Sequence, residues 1–282
     1  VTPMHADGSV HYAKLTELIE LQIAAGTAAI TICGTTGESA TLTDHERIAV
    51  ISHCVRTVNG RIPVIAGTGS NQTAHTLRLS QEAKKAGADG LLLVTPYYNK
   101  CSATGLIRHY LSVADSVELP IIVYNVPSRT GVSMNAEIYR QLSRHPLING
   151  VKEASGSTDL VLRTLDACGD ELNIWSGNDG QIVPIMALGG KGVISVLANL
   201  CPEVTRELTA ACLRGDYETA ASMQARYMAL IDALFCEVNP IPVKTAMNLM
   251  GLGVGPLRMP LCQLDDGKKE RLLSALHQKN LI

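Results

Sequence analysis

Short runs of aliphatic and β-branched residues alternate with longer amphipathic segments along most of this chain of 282 residues. The short runs predict seven strands, at residues 28–33, 62–66, 90–94, 120–125, 148–152, 172–176 and 192–196. The longer segments predict eight helices, at residues 12–25, 44–58, 73–86, 103–117, 135–144, 158–168, 179–188 and 199–213. Val1-Thr2 would end an eighth strand whose beginning is absent, and Thr43 followed by Glu46 predicts a capping box.

A strand–helix unit that repeats about every 30 residues requires parallel strands joined by crossover helices. Eight such units predict a (β/α)8 barrel, or TIM barrel, of the α/β class. A doubly wound open sheet is the competing fold. Its dinucleotide signature is missing, because Gly67-Thr-Gly69 continues as Ser-Asn-Gln, and Gly189-Gly-Lys-Gly192 lacks the Ser or Thr of a phosphate-binding loop.

Beyond residue 196 the pattern predicts helices only. After the helix at 199–213 come segments at 216–236, 240–250 and 265–278, and the two prolines of Asn239-Pro-Ile-Pro242 must break or begin a helix. No Ser/Gly-rich or charge-rich linker separates this region. We therefore expect a barrel over residues 1–213 and a helical appendage over residues 214–282 that packs on it.

The charge and composition of the chain argue against several kinds of binding partner and cellular location. A net charge of −2 and a pI of about 6.5 argue against nucleic acid. The apolar runs end well before the roughly 18 residues of a membrane span, and the first residues do not predict a secretory signal, so we expect a cytoplasmic protein. The eight cysteines form no Cys-x-x-Cys pair and no His-Glu-x-x-His occurs, which predicts reduced thiols and no metal site.

The strand predicted at 148–152 ends in a lysine, Lys152. Two interpretations are open: a surface charge, paired with Glu153, or an amine kept partly neutral so that it attacks a carbonyl and forms a Schiff base. Taken alone, a lysine at a strand end is usually a surface charge. The second interpretation requires that other strand ends supply the remaining chemistry.

The active site of a (β/α)8 barrel lies at the carboxyl ends of its strands, so the residues that follow each strand are brought together. Gly34-Thr-Thr-Gly-Glu38 is either a plain glycine turn or a set of N–H and hydroxyl donors for a carboxylate. Thr95-Pro-Tyr-Tyr-Asn99 offers phenols for proton relay or for an interface. Tyr124 is a candidate general acid/base, and Arg129 is either an exposed loop residue or a planar fork for a second carboxylate.

One amine, phenols, hydroxyls and two carboxylate holders, without a metal set or a flavin or nicotinamide motif, fit a class I aldolase-type condensation. A 2-keto acid would form an imine with Lys152 and lose a proton to give an enamine. The enamine would attack an aldehyde whose carboxylate is held by Arg129. The covalent imine takes the place of a cofactor.

Six motifs together resemble the dihydrodipicolinate synthases over essentially the whole chain: Gly34-Thr-Thr-Gly-Glu38, Val94-Thr-Pro-Tyr-Tyr-Asn99, Tyr124-Asn-Val-Pro-Ser-Arg-Thr-Gly131, Gly150-Val-Lys-Glu153, Gly189-Gly-Lys-Gly-Val-Ile-Ser195 and Asn239-Pro-Ile-Pro-Val-Lys244. The first motif with the tyrosine and the lysine alone would describe the wider N-acetylneuraminate lyase superfamily. Ser-Arg-Thr-Gly after Tyr124 favours the synthases, because the lyases of sialic and sugar acids tend to lack that arginine.

The resemblance implies a lyase that condenses pyruvate with L-aspartate 4-semialdehyde to 4-hydroxy-tetrahydrodipicolinate, the first committed step of the diaminopimelate route to lysine. It also implies a homotetramer built as a dimer of dimers. By the same resemblance, Lys152 forms the Schiff base, and Tyr124, Thr35 and Tyr98 form a proton relay in which Tyr98 reaches into the neighbouring subunit's site. Thr35 and Thr36 would bind the carboxylate of pyruvate, and Arg129 would bind the semialdehyde. Gly177 and Ile194 would contribute backbone groups near the site.

Feedback-sensitive relatives carry an effector pocket for lysine at the dimer interface. The candidate pocket residues that fit here are Ser39, Ala40, Asn71 and Tyr97, whereas Asp44, Arg47 and His75 stand where histidines and a glutamate are expected. His75 in place of an acid removes a partner for the effector's amine. We therefore expect weak or absent inhibition by lysine.

Two other functions remain open at this point. One is a pyruvate-dependent lyase that acts on a sugar acid such as N-acetylneuraminate or a 2-keto-3-deoxy acid. The other is a catalytically silent paralogue that binds small acids. The presence of the amine, the phenols and the hydroxyls argues against the second.

Overall fold

The computed structural model describes residues 1–282. Its seven strands are β1 Ile30–Ile32, β2 Val64–Gly67, β3 Gly90–Val94, β4 Ile121–Asn125, β5 Ile148–Glu153, β6 Asn173–Ser176 and β7 Gly192–Val193. Its twelve α-helices are α1 Tyr12–Ala24, α2 Asp44–Val58, α3 Thr73–Lys85, α4 Ala103–Val117, α5 Pro127–Thr130, α6 Ala136–Leu142, α7 Thr158–Cys168, α8 Ile182–Ala187, α9 Pro202–Leu213, α10 Tyr217–Leu234, α11 Ile241–Leu249 and α12 Asp266–His277.

All seven predicted strands and all eleven predicted helices are present, with ends that differ by a few residues. The short helix α5 was not predicted. Val1 and Thr2, which were expected to end an eighth strand, lie outside any strand. Their hydrogen bonds are made outside a strand ladder: the Val1 amine donates to Asn199 Oδ1 at 2.8 Å, and Thr2 Oγ1 donates to Gly37 O at 2.6 Å.

The chain separates into two compact units. The central unit is Pro63–Ile194, and the discontinuous unit joins Val1–Ile62 to Ser195–Ile282. None of the twelve helices combines the length and the apolar character that crossing a membrane requires.

The central unit contains a parallel sheet in which β2 to β7 pair in chain order. Strands β3 and β4 are nearly continuous apolar runs, as expected for strands covered on both faces, and Leu91, Leu93 and Val123 are completely buried. This parallel alternation of strands and helices confirms the predicted α/β class.

The register of the central unit places a row of side chains at one level of the sheet. Val94 pairs with Tyr124, Tyr124 with Lys152, and Lys152 with Trp175. The pairing of β4 with β5 shifts near its start, where Ile121 pairs with Ile148 but Ile122 with Gly150. Asn149 is therefore an additional residue on β5, a bulge that sets the register of everything after it.

In the discontinuous unit, α9 to α12 pack around buried aliphatic side chains that include Leu230, Leu234, Val243, Leu272 and Leu276. The helix α11 begins directly after Pro240 and has a second proline in its first turn, as the sequence predicts.

The predicted capping box at the start of α2 is also confirmed. The Glu46 N–H donates to Thr43 Oγ1 at 3.2 Å, and the Thr43 N–H donates to Glu46 Oε2 at 2.9 Å. These two bonds satisfy N–H groups that a helix start leaves without intrahelical partners.

Candidate active site

Lys152 lies one residue before the end of β5, where the strand pairs with β4 on one side and β6 on the other. Its direct neighbours across the sheet are Tyr124 and Trp175. The Lys152 Nζ lies over the Tyr124 ring, 4.4 Å from its centroid. The sheet therefore brings together the amine and the phenol that the sequence predicted at neighbouring strand ends.

The environment of Lys152 favours the neutral amine. Burial is the largest influence and lowers its pKa from 10.5 to about 8; the carboxylate of Asp179 opposes this shift, and the guanidinium of Arg129 adds to it. At pH 7 a pKa of about 8 leaves about one amine in ten neutral, against about one in three thousand for an ordinary lysine. Neutral amines attack carbonyls, so the shift increases the reactive form several hundredfold.

Glu153 does not pair with Lys152, which excludes the alternative of a surface ion pair. Its carboxylate is buried and accepts hydrogen bonds from Tyr139 Oη at 2.7 Å and the Ser155 N–H at 2.7 Å. Asn125 Nδ2 lies 3.2 and 3.1 Å from its two oxygens. Consecutive residues of a strand point to opposite faces, so the carboxylate is directed away from the amine.

Gly177 and Ile194 lie close to the Lys152–Tyr124 pair. A Cβ added at Gly177 would come within 2.7 Å of Ala154 Cβ and 3.2 Å of Lys152 Cε, so the glycine permits a close approach that no other residue would. Ile194 packs against the apolar cluster that contains Tyr124, and its N–H donates to Ser176 O at 2.9 Å.

Arg129 lies on α5, which follows β4 after one residue. The Thr130 hydroxyl lies within hydrogen-bonding distance of Val126 O, at 3.2 Å, and of Val132 O, at 3.0 Å, which closes this segment on itself. Arg129 is exposed, whereas Thr130 is buried. The guanidinium is thus presented on a short, internally bonded segment.

Tyr98 is the most exposed large hydrophobic residue, at 90%, and its backbone has a left-handed φ of 74°. Tyr97 beside it is 38% exposed. The Tyr98 N–H lies 3.4 Å from Thr130 O, next to the segment that carries Arg129. Among the predicted relay residues of the central unit, Tyr124 lies against Lys152 whereas Tyr98 is directed to the surface.

Thr35 and Thr36 begin a turn of 3₁₀ helix, Thr35–Gly37, in the discontinuous unit. Asn239 Nδ2 donates to Thr36 Oγ1 at 2.9 Å, and Thr2 Oγ1 donates to Gly37 O at 2.6 Å. Glu38 ends the turn with a left-handed φ of 55°, and its carboxylate forms a buried ion pair with Lys244 at 2.6 Å. Two of the six sequence motifs therefore contact each other here.

The candidate effector residues lie on several separate elements. Ser39 and Ala40 follow the 3₁₀ turn, and Asn71 O accepts from Asn99 Nδ2 at 2.9 Å, close in sequence to Tyr97. The three departures also differ in setting: Asp44 is exposed in the first turn of α2, Arg47 is buried on α2, and His75 Nδ1 lies 3.1 Å from Ser70 Oγ. No carboxylate stands at position 75.

No group of three or more His, Cys, Asp and Glu side chains is arranged to hold a metal ion. Several polar residues near Lys152 were missed by sequence reasoning: Asp179, Asn125 and Tyr139. Asn125 directly follows Tyr124 on β4, which was a usable signal, but Tyr139 lies on α6, and nothing in its sequence surroundings indicates that its hydroxyl contacts Glu153.

Comparisons with known proteins agree along the whole chain. The model of the dihydrodipicolinate synthetase family matches residues 1–279. A 4-hydroxy-tetrahydrodipicolinate synthase from Thermoanaerobacter sp. (strain X514) is 53% identical over 283 residues, which cover 100% of this chain and 95% of the relative.

Solved structures of the same enzyme family are equally similar. The dihydrodipicolinate synthase of Aquifex aeolicus has a TM-score of 0.98 at 41% identity, covering 100% of this chain and 96% of that one. That of Acinetobacter baumannii, crystallised with pyruvate, has a TM-score of 0.97 at 42% identity, with 100% and 97% coverage. These similarities confirm the predicted (β/α)8-barrel fold. Because the family model and full-length relatives both match from end to end, the chain belongs to the dihydrodipicolinate synthetase family.

Proposed function

We propose that Lys152 is the nucleophile in a condensation of pyruvate with L-aspartate 4-semialdehyde. The chain is a lyase of the 4-hydroxy-tetrahydrodipicolinate synthase type, which acts in the diaminopimelate route to lysine. One observation carries the assignment of Lys152: a half-buried lysine whose amine has a pKa lowered to about 8, with its Nζ 4.4 Å from the ring centroid of a tyrosine at the end of a neighbouring parallel strand.

The reaction proceeds in four steps. The neutral amine attacks the C2 carbonyl of pyruvate, and loss of water leaves a protonated imine. The methyl carbon of pyruvate then loses a proton, and the resulting enamine bonds through that carbon to the aldehyde carbon of the semialdehyde. The aldehyde oxygen takes up a proton as it becomes a hydroxyl. The amino group of the semialdehyde then attacks C2 and displaces the Lys152 amine, which closes the ring of the product and frees the enzyme.

The remaining predicted residues supply proton transfer and binding in this proposal. Tyr124, with Thr35 and Tyr98, moves protons, and the Arg129 guanidinium binds the carboxylate of the semialdehyde through paired N–H donors. Its positive charge already acts on the Lys152 amine, which supports a place near the reacting carbon.

Thr35 and Thr36 bind the carboxylate of pyruvate. Support comes from the turn they form, whose hydroxyl at Thr36 is oriented by Asn239, and from the pyruvate complex of the Acinetobacter baumannii relative. Gly177 and Ile194 contribute backbone groups near the imine.

We also propose a homotetramer, a cytoplasmic location and an imine that needs no metal or organic cofactor. The exposed ring of Tyr98, on a backbone with a left-handed φ, fits a side chain that a second copy of the chain covers.

Reduction with borohydride in the presence of pyruvate tests the proposed nucleophile. We expect a stable adduct on Lys152 alone, identified by mass spectrometry of peptides. Because only the neutral amine attacks, the initial rate of adduct formation should rise about tenfold per pH unit below pH 8 and level off above it. A midpoint near 10.5, or an adduct on another lysine, would contradict the assignment.

Inhibition by free lysine tests the effector prediction. We expect little change in rate at sub-millimolar lysine, because the imidazole of His75 provides no carboxylate for the ammonium groups of the effector. A His75→Glu variant should gain inhibition if the other pocket residues are in place. Strong inhibition of the unmodified chain at sub-millimolar lysine would show that the prediction is wrong.

A further inference from the structure

Glu153 is a buried carboxylate that is held entirely by neutral donors. Only 3% of its surface is exposed, and its partners are a tyrosine hydroxyl, an asparagine amide and a backbone N–H. Burying a carboxylate without a cation is unfavourable unless hydrogen bonds replace the lost water. Because three donors hold this carboxylate in one position next to Lys152, its position is fixed by the fold.

The network around Glu153 connects the elements that present the functional side chains. Glu153 follows Lys152 on β5, and Asn125 follows Tyr124 on β4; the two residues pair directly across the sheet. Asn125 Oδ1 in turn accepts from the Met134 N–H at 3.2 Å. The Asn125 side chain thus joins the end of β4 to Met134, the last residue of the 126–134 segment that carries Arg129.

We propose that Glu153 is a positioning residue for the second substrate: through Asn125, and braced by Tyr139, it fixes the 126–134 segment so that Arg129 stands at a set distance from Lys152. This inference rests on the proposed function, since it assigns the semialdehyde carboxylate to Arg129. Glu153 touches neither substrate in this role. It influences the reaction only by fixing the 126–134 segment and, with it, the position of Arg129.

A competing role for Glu153 is that of a counter-ion to Lys152. The charges that act on the Lys152 amine are those of Asp179 and Arg129, and the amine lies over the Tyr124 ring on the other face of the strand. The two roles therefore differ in what removal of the charge would do. A counter-ion would change the pH dependence of imine formation, whereas a positioning residue would leave it unchanged.

The test is a Glu153→Gln variant assayed with each substrate varied in turn. A glutamine presents one oxygen and one NH₂ group, so its NH₂ would face the N–H donors of Asn125 or Ser155, which cannot accept. We expect the KM for the semialdehyde to rise about tenfold, as for a misplaced binding group. We expect the KM for pyruvate to change less than about twofold, and the pH dependence of borohydride trapping to stay the same.

Two further variants complete the design. Tyr139→Phe removes one donor to Glu153 while keeping the ring. It should raise the KM for the semialdehyde about threefold and leave the KM for pyruvate unchanged. If Glu153→Gln does not fold, this variant tests the positioning role. Glu137→Gln is the matched control, because this exposed acid lies on the helix that carries Tyr139 and is hydrogen-bonded to Arg140 and Gln141 of that helix; it should leave both KM values unchanged.

The outcomes separate this inference from the function on which it rests. An unchanged KM for the semialdehyde in a folded variant, an equal rise in both KM values, or a shifted pH dependence would overturn the positioning role while the adduct on Lys152 persists. Absence of any adduct in the unmodified chain would overturn the proposed function, and this inference with it.

Discussion

Replacing Lys152 by alanine is expected to lower kcat/KM by about a thousandfold or more, because no other amine of the site could form the imine. Lys152→Arg should be as inactive, since a guanidinium keeps the positive charge but stays protonated and cannot attack a carbonyl. Formation of the condensation product from pyruvate and the semialdehyde provides the measurement.

Lys191→Ala is the control for the loss of a lysine, because Lys191 is exposed immediately before β7. It should keep full activity. If Lys152→Ala retained activity within about tenfold of the unmodified chain, the covalent intermediate would have to form elsewhere. If only Lys152→Arg were active, the positive charge and not the nucleophile would be the essential property.

The second large effect concerns stability. Lys244→Met is expected to lower the free energy of unfolding by about 3–5 kcal/mol, because it leaves Glu38 as a buried carboxylate without its cation. The side chains of Lys244 and Glu38 are 1% and 0% exposed, and their atoms are 2.6 Å apart. Burial lowers the pKa of Lys244, and the Glu38 carboxylate opposes that shift, so the charge of Lys244 depends on Glu38.

Urea denaturation at fixed protein concentration measures this loss. The double variant Lys244→Met, Glu38→Leu should recover much of it, because neither buried charge remains. Lys85→Met is the matched control, since its ion pair with Glu82 is exposed and should contribute no more than about 1 kcal/mol. A loss for Lys244→Met as small as that of Lys85→Met would mean that water reaches the pair.

The elements of the fold were largely predictable from sequence periodicity. β4 was expected because residues 120–125 are mostly aliphatic and β-branched, and α4 because its apolar residues recur at helical spacing. The helix α5 has only four residues, too few for any periodicity to be visible. Its Pro127 at the start and Gly131 just past the end were nevertheless the usual signals of a helix with this polarity. The boundary expected between residues 213 and 214 stays a prediction.

The candidate site was predictable only in part. The rule that active sites of barrels lie at strand ends is sufficient to bring Tyr124 beside Lys152. The partner of Glu153 was harder to foresee, because Tyr139 lies on a helix and only the packing of that helix brings its hydroxyl to the strand. Asp179, in contrast, lies in the turn that follows β6, so the strand-end rule could have identified it; its charge acts on Lys152 from that turn.

The bulge at Asn149 determines which side chain of β5 meets Tyr124. If the pairing of Ile121 with Ile148 continued without interruption, Tyr124 would stand opposite Val151, and Lys152 would be carried round to the face where Asn125 and Tyr139 lie. The one unpaired residue thus shifts the pairing register of β4 and β5 by one position. The start of β5 and its end therefore pair with β4 in registers that differ by one residue. Which side chain lies beside Tyr124 thus depends on the number of backbone residues in β5 as well as on the presence of the lysine.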